Sequence, residues 1–527
     1  MSRRRRLIAG MCAGGLALTA CGAAGGDRSG GNEEPSRDGT FRMAEFGKIA
    51  SFNPLSTSGN LYARFAYDSL VFTSGPQVLP GLAEKWTATA TEAAFTLRGD
   101  VTCDDGTRLR AADVAATLRV LRDPKYASQI DPSLLAGLPS FTVRADDAAR
   151  SVTVRTSAPH SFIVRIIGSV PIVCPKGLAD LKALDQRSAG TGPYVLKDYR
   201  VGGPYTYTVR RGYRWGPGDA TTDAPGTPAT IEIKPLSDVG TAANLLLTGG
   251  LNAAEISGPQ AGRLGGRQFG RVDRPATVGF TQFNERTGRA TREVEVRRAL
   301  IAAVDLNQAA KVATGGKGTR AMAIMPSGTM CRADTVTGNL PSHDITAAGQ
   351  LLDQAGWRRG ADGVRARNGS RLSISVLVPA DFGETLTPLA EFMIRQWRSL
   401  GVDARLNAQP QAGLESTLTR SADWDVFVFG LAGDQKLPVI ARFMEKPPPA
   451  GGNIGAVSNA EQGRLTAEAL TRPEGQACPL WQRAEAALMR DADVLPVGEE
   501  SMQFFSWKAR FDVVEGRVVP TSIRLFT

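Results

Sequence analysis

The sequence predicts an α/β protein with more than one lobe, and three observations carry that expectation. Its 527 residues are well above the size of one ordinary domain, so two or three lobes are expected. Between Arg371 and Gly433 strand and helix periodicities alternate. Beyond the N-terminal twenty residues, no apolar run approaches the length that crosses a bilayer.

Taken in order, the chain opens on Arg3 to Arg6, an apolar stretch from Leu7 to Ala20, and Cys21. A basic start followed by an apolar core too short to span a membrane reads as a secretory signal. Leu18-Thr19-Ala20-Cys21 resembles a bacterial lipobox. That resemblance implies removal of residues 1–20, a lipid on the Cys21 sulfur, and an extracytoplasmic protein held at the cell membrane by its acyl chains. Residues 21–39 are rich in Gly, Ser, Asn, Asp and Glu and lack an apolar period, so they read as a flexible tether, with the fold starting near Thr40.

The stretch from Ala83 to Leu121 reads as two short strands, a turn at Gly106 and a helix from about Ala111, with Val114, Leu118 and Leu121 on one face. A strand pair follows around Phe141 to Val154. Farther on, Leu372, Ile374, Val376 and Val378 alternate as a strand. A helix from about Thr385 carries Leu389, Met393, Trp397 and Leu400 at three- and four-residue spacing and stops at Gly401. Val402, Ala404 and Leu406 alternate again, and Trp424 to Phe429 makes an apolar strand broken only by Asp425. Strand, helix, strand in this order predicts a parallel crossover, and ligands of such sheets bind beyond the carboxyl ends of the strands. That rule puts the loop from Gly430 to Pro438 beside a cleft.

Composition removes several function classes. The formal charge of +10 falls to +6 once Arg3 to Arg6 leave (10 − 4), and the cations are scattered among acids, so no nucleic-acid groove is expected. His160 and His343 are the only histidines and stand far apart, which excludes a histidine-rich metal pocket; no metal and no cofactor are expected. No Ser-x-x-Lys or Gly-x-Ser-x-Gly nucleophile motif occurs. Gly315-Gly316-Lys317-Gly318-Thr319 fails the spacing of a phosphate loop and reads as a turn. Trp357 and Trp397 lie on apolar helix faces and read as core. Cys103, Cys174, Cys331 and Cys478 remain in an exported chain, permitting two disulfides in three pairings.

One set of fragments resembles a known family. Leu79-Pro80-Gly81-Leu82-Ala83-Glu84-Lys85-Trp86, Phe95-Thr96-Leu97-Arg98, Asp105-Gly106-Thr107 and Ala111-Ala112-Asp113-Val114 resemble the signature of the peptide and nickel class of ABC-transporter solute-binding proteins. Gly190-Thr191-Gly192-Pro193-Tyr194, Tyr213-Arg214-Trp215, Phe283-Asn284, Val296-Arg297-Arg298-Ala299-Leu300 with Val304-Asp305, and Leu351 to Trp357 follow in family order. The resemblance implies a two-lobed periplasmic-binding-protein clamp of type II with an extra subdomain. Lobe I would comprise 40–75, 188–284 and 498–527, the inserted subdomain 76–187, and lobe II 285–497. Two chain crossings near Phe283-Asn284 and Gly498 would form the hinge, with Gly192-Pro193-Tyr194 a turn near it.

The implied activity is capture of peptides or another amine-bearing solute by lobe closure and delivery to a membrane permease, by a monomer. Gly430-Leu431-Ala432-Gly433-Asp434 resembles the dipeptide binders' Gly-Trp-x-Gly-Asp. Asp434 would hold a ligand ammonium by a charge-assisted hydrogen bond. The family's tryptophan is Leu431 here, and Cys103 stands where the family has an aromatic. Gly430, Phe429, Phe46 and Asn53 complete the expected ligand set, with core packing the alternative for the aromatics. An oligosaccharide or metal-chelate binder on the same fold is the nearest alternative reading, and an envelope lipoprotein with a scaffolding or catalytic role a more distant one. The implied lobe boundaries put Cys103 with Cys174 in the first lobe and its insert and Cys331 with Cys478 in the second. Those two pairings are therefore expected, and neither would clamp the hinge.

Overall fold

The computed structural model describes residues 34–527 apart from 47–50, 57–61, 128, 132–133, 136, 201, 257, 266–267, 381–382 and 432–437. The expected lipidation residue Cys21 and the candidate anchor Asp434 therefore lie outside the described residues. Among those described, no helix is long and apolar enough to cross a membrane.

A twelve-stranded mixed sheet runs through the protein. Ten of its strands form one path: β1 (Thr40–Phe46), β2 (Tyr194–Asp198), β3 (Tyr205–Val209), β4 (Thr230–Leu236), β5 (Ala253–Ile256), β6 (Gly270–Phe283), β7 (Ser373–Pro379), β8 (Asp403–Gln409), β9 (Val426–Leu431) and β10 (Gly498–Ser506). Their order across the sheet is β8-β7-β9-β6-β10-β5-β1-β4-β3-β2. Strand β1 is parallel to β4 and β5, and β7 is parallel to β8 and β9. These two parallel groups belong to the two lobes, and β6 and β10 join them.

The joint itself is visible in the ladder of β6. Gly270 to Val278 pairs with β10, whereas Thr277 to Phe283 pairs with β9, and the register shifts between Thr277 and Phe280. Gly279 sits inside that irregularity at φ +74, and a Cβ there would come within 2.3 Å of Leu389 Cδ2. Only glycine tolerates both the backbone and the approach. The first crossing therefore lies at Thr277 to Gly279, ahead of the Phe283-Asn284 position expected from the family fragments. Phe283 is fully buried inside the second lobe, and Asn284 Nδ2 donates to the carbonyls of Trp424 (2.7 Å) and Ala422 (3.2 Å). Gly498 lies opposite Val278 at the end of the same ladder.

The inserted stretch carries a separate four-stranded sheet. Ala83–Ala88, Glu92–Leu97, Ser151–Thr156 and Phe141–Asp146 lie in that order, packed by helix α1 (Ala111–Val120), while α2 (Ile163–Gly168) follows at its end. Cys103 is bonded to Cys174, with Cα atoms 6.1 Å apart. The apolar position that the family fills with an aromatic ring is filled here by half a disulfide. At the root of the insert, Asp68 is half-buried. It accepts from Tyr213 Oη (2.8 Å), Trp215 Nε1 (3.0 Å) and Thr191 Oγ1 (2.9 Å). Burial pushes its carboxyl up and these donors pull it back down. Gly192 packs on this network, since a Cβ would lie 2.4 Å from Ala66 C. The segments Gly190 to Tyr194 and Tyr213 to Trp215 are thus joined through Asp68, and Gly190 O accepts from Asp104 N of the insert at 2.8 Å, so the turn expected near the hinge is at this junction instead.

In the second lobe, α4 (Gly383–Ser399) buries Leu389, Met393 and Trp397 against β7 and β9, and Trp397 Nε1 donates to Leu300 O at 2.8 Å. Both faces of this parallel group are covered, because Leu377 and Phe427 point away from α4 to meet Leu414 and Trp424. Asp425 is tolerated in that strand because its carboxylate accepts from Ser375 N at 2.8 Å and lies 3.5 Å from Arg289. Late in the chain, α5 (Ala460–Leu470) and α6 (Cys478–Arg490) pack as a pair, and Cys331 is bonded to Cys478 at the start of α6. In the chain-entropy account, loops spanning 71 and 147 residues are each worth about 4 to 5 kcal/mol of stability.

Candidate solute-binding cleft

Strand pairing brings the carboxyl ends of β1 and β5 in the first lobe toward the crossing at β6, and the carboxyl end of β9 reaches the same crossing from the second lobe. The cleft between these ends is where a parallel α/β sheet binds its ligand.

On the first lobe's wall, β1 places Met43 and Glu45 on one face and Ala44 and Phe46 on the other. Phe46 packs with Ala44 against the cluster containing Ala243, Leu246 and Ile256. It is half-buried core, on the face opposite Glu45. Asn53 is buried as well: its Oδ1 accepts from Leu55 N at 3.1 Å, and its backbone N–H donates to Ser51 Oγ at 3.0 Å. Its carboxamide oxygen closes a turn.

On the second lobe's wall, Phe429 is half-buried and stacks on Phe427 with centroids 4.4 Å apart. It also meets Phe280 edge-on at 5.1 Å. Gly430 is exposed, and Leu431 pairs with Thr277 in the ladder and is buried in the main apolar cluster. Leu431 therefore belongs to the core and does not replace the family's tryptophan as a wall. Phe429 and Gly430 are the described members of the expected set that stand at the carboxyl end of β9, directly before the loop holding Asp434.

The structure adds acidic residues that sequence patterning passed over. Met43 is opposite Ala253, so Glu45 lies beside Glu255 on the same face of the sheet. Burial pushes the Glu45 carboxyl up to about 7; a hydrogen bond from Tyr62 opposes this, and the charge of Glu255 adds to it. Glu255 is 3.6 Å from Arg274, whose Nη2 also meets Met502 Sδ at 3.4 Å. Glu500 follows on the same face of β10, its carboxyl raised by burial and lowered by Lys317. Among the described residues this floor carries Glu45, Glu255 and Glu500 against Arg274 and Lys317. The signal for these residues was present, since Met-Ala-Glu-Phe and Ala-Ala-Glu-Ile each put a carboxylate at the end of an apolar strand. Among the described residues, no group of three or more His, Cys, Asp and Glu is placed to hold a metal ion.

The profile of the bacterial extracellular solute-binding proteins, family 5 (Middle), matches residues 77–441. The chain belongs to this family. Protein XP55 of Streptomyces lividans is 28% identical over 372 residues, which make up 69% of this chain and 65% of XP55. The aligned part thus covers just under two thirds of that relative's length. The dipeptide-binding protein of Escherichia coli (strain K12) is 25% identical over 407 residues, 68% of this chain and 70% of the relative. A substrate-binding protein from Microbacterium hydrocarbonoxydans, solved in complex with 4-hydroxybenzoate hydrazide, shares 26% identity. It superposes with a TM-score of 0.74, covering 92% of this chain and 99% of that one. Family 5 members are extracytoplasmic solute-binding proteins of ABC importers, and the two-lobed architecture of this chain is theirs.

Proposed function

We propose that this family 5 protein is a lipid-anchored receptor that captures peptides or other amine-bearing solutes between its lobes and hands them to a membrane permease. The observation that carries the ligand class is the carboxylate surplus on the cleft floor, where Glu45 and Glu255 are register neighbours and Arg274 engages only the second of them. In the sequence Asp434 follows β9 by three residues, and the dipeptide-binding relative is consistent with this choice of solute. Isothermal calorimetry with Ala-Ala, Ala-Lys and their N-acetylated forms tests it. The free amines are expected to bind and the acetylated forms to lose most of that affinity; equal binding of both, or binding of neither, overturns the ligand class.

Glu45 predicts a pH dependence. A carboxyl with a pKa of about 7 is only about one-tenth ionised at pH 6, so affinity for a cationic dipeptide should fall about tenfold from pH 8 to pH 6. Glu45→Gln should bind more weakly at pH 8 and show a flat profile. A variant that keeps the native slope assigns the titration to another group.

The anchor is tested separately. Cys21→Ser is expected to release the protein from membranes, because a mild surplus of scattered cations gives only weak, salt-screened attraction. Retention of the Ser variant in the membrane fraction after a high-salt wash removes the lipid assignment.

A further inference from the structure

The insert is tied to the first lobe through Arg210, whose Nη2 donates to Thr102 Oγ1 at 2.6 Å and Cys103 O at 2.7 Å, and α5 and α6 are tied to the second lobe: Asn459 Nδ2, at the start of α5, donates to Asp493 Oδ2 at 2.8 Å. Yet the insert and the α5–α6 pair meet. Ser161 Oγ donates to Ala469 O at 2.6 Å, and Phe162 lies 5.5 Å from the ring of Trp481, which is fully buried. Arg165 is paired with Glu474 and keeps only 7% of its side chain exposed. The same guanidinium donates to Gly75 O at 2.9 Å and to Pro76 O, so the ion pair pins the insert's first turn as well. One apolar cluster runs unbroken from Phe41 and Met43 through Phe162 to Trp481 and Leu488.

A groove of about 660 Å³ opens along this contact, lined by Pro76, Val78, Arg165, Met330 and Glu474 and bordered by the Cys331–Cys478 disulfide. Among the described residues the boundary is crossed by the Arg165–Glu474 ion pair, the Ser161–Ala469 hydrogen bond, the Phe162–Trp481 ring pair and a 3.9 Å contact of Arg165 with Met330 Sδ, and the groove beside them marks it as the seam between two bodies. Its lining includes none of Glu45, Glu255, Glu500 and Arg274 of the cleft floor.

We propose that this seam is a latch: Arg165 and Glu474, with Ser161 and Phe162 against Ala469 and Trp481, hold the lobes together from outside the cleft. These are positioning residues, which set solute affinity by biasing the closed state and make no contact with solute. A clamp with such a latch spends part of its time closed when empty, and weakening the latch shifts the population toward the open form. The inference uses the two-lobed fold alone and does not depend on which solute the cleft takes.

The test uses the full unliganded chain, with hydrogen exchange by mass spectrometry and small-angle scattering as readouts. Glu474→Ala should raise exchange rates at least about fivefold in both 161–168 and 469–481, and increase the radius of gyration. The charge swap Arg165→Glu with Glu474→Arg should bring both readouts back toward native values. Ser161→Ala, which removes a single hydrogen bond, should produce the same two-segment pattern more weakly and keeps the test available if Glu474→Ala does not fold. Faster exchange confined to the mutated segment, or two-segment exchange without a change in radius, overturns the latch. So does a charge swap that restores neither readout.

Discussion

Asp434→Ala is expected to weaken binding of a free-amine dipeptide at least about a hundredfold. Removing one partner of a buried charge pair costs about 3 to 5 kcal/mol, because the remaining charge stays desolvated without its counter-ion, and 1.4 kcal/mol is about tenfold in affinity. N-acetylation of the dipeptide should cost the native protein a similar amount, and the two changes together should cost little more than either. Calorimetry of the four combinations reads this coupling directly. Additive losses, or an unchanged affinity in the Ala variant, would return Asp434 to the role of a solvated loop residue. Glu45 would then be the principal carboxylate for the amine, and the Glu45→Gln variant should take over the hundredfold loss.

The second large effect concerns stability. Arg297 is buried beneath the second lobe's first helices, with Asp493 at 2.9 Å and Glu285 at 3.5 Å, and it also donates to the carbonyls of Thr291, Asp491 and Ala492. Arg297→Met should cost about 3 to 5 kcal/mol of unfolding free energy, since two carboxylates are left buried without their cation. Burial and the charge of Asp493 push the Glu285 carboxyl up, to about 8, and Arg297 partly offsets them. A carboxyl whose pKa is raised by folding stabilises the fold fully below its unfolded value, and that contribution is lost as pH rises through the folded value. Native stability should therefore decline between about pH 5 and pH 8 through this pair. Without the arginine the carboxyls rise further, so the variant's deficit should be larger at pH 8 than at pH 5. Urea unfolding at the two pH values checks both statements. Equal deficits, or a loss below about 1 kcal/mol, would mean that water reaches the cluster.

The family fragments acquire separate physical roles in the structure. Arg297 neutralises a buried acid pair, Asn284 satisfies the carbonyls before β9, and Asp305 caps the helix Leu306–Ala313 by accepting from Asn307 N at 2.9 Å. Trp357 packs under the Arg367 guanidinium, 4.4 Å from its ring. None of these residues belongs to the cleft. They hold the lobes in shape, and so the family was legible from them while the ligand was not.

What the sequence determined by itself was local and periodic. The alternation of Ile374, Val376 and Val378, the spacing of Leu389, Met393 and Trp397, and the stop at Gly401 follow from backbone geometry, and each appears as β7, α4 and a turn with φ +86. The tertiary structure decided what depends on neighbours distant in the chain. Phe46 and Leu431 are core because the clusters that receive them come from α3 (Val239–Leu247) and from the insert with α6. Glu45 matters because Glu255, more than two hundred residues away, lies beside it, and because burial and Tyr62 set its proton affinity. Position 279 is glycine because Leu389, on a helix of the second lobe, leaves no room for a Cβ there. Periodicity fixes which face a residue occupies; only the assembled sheet decides what that face meets.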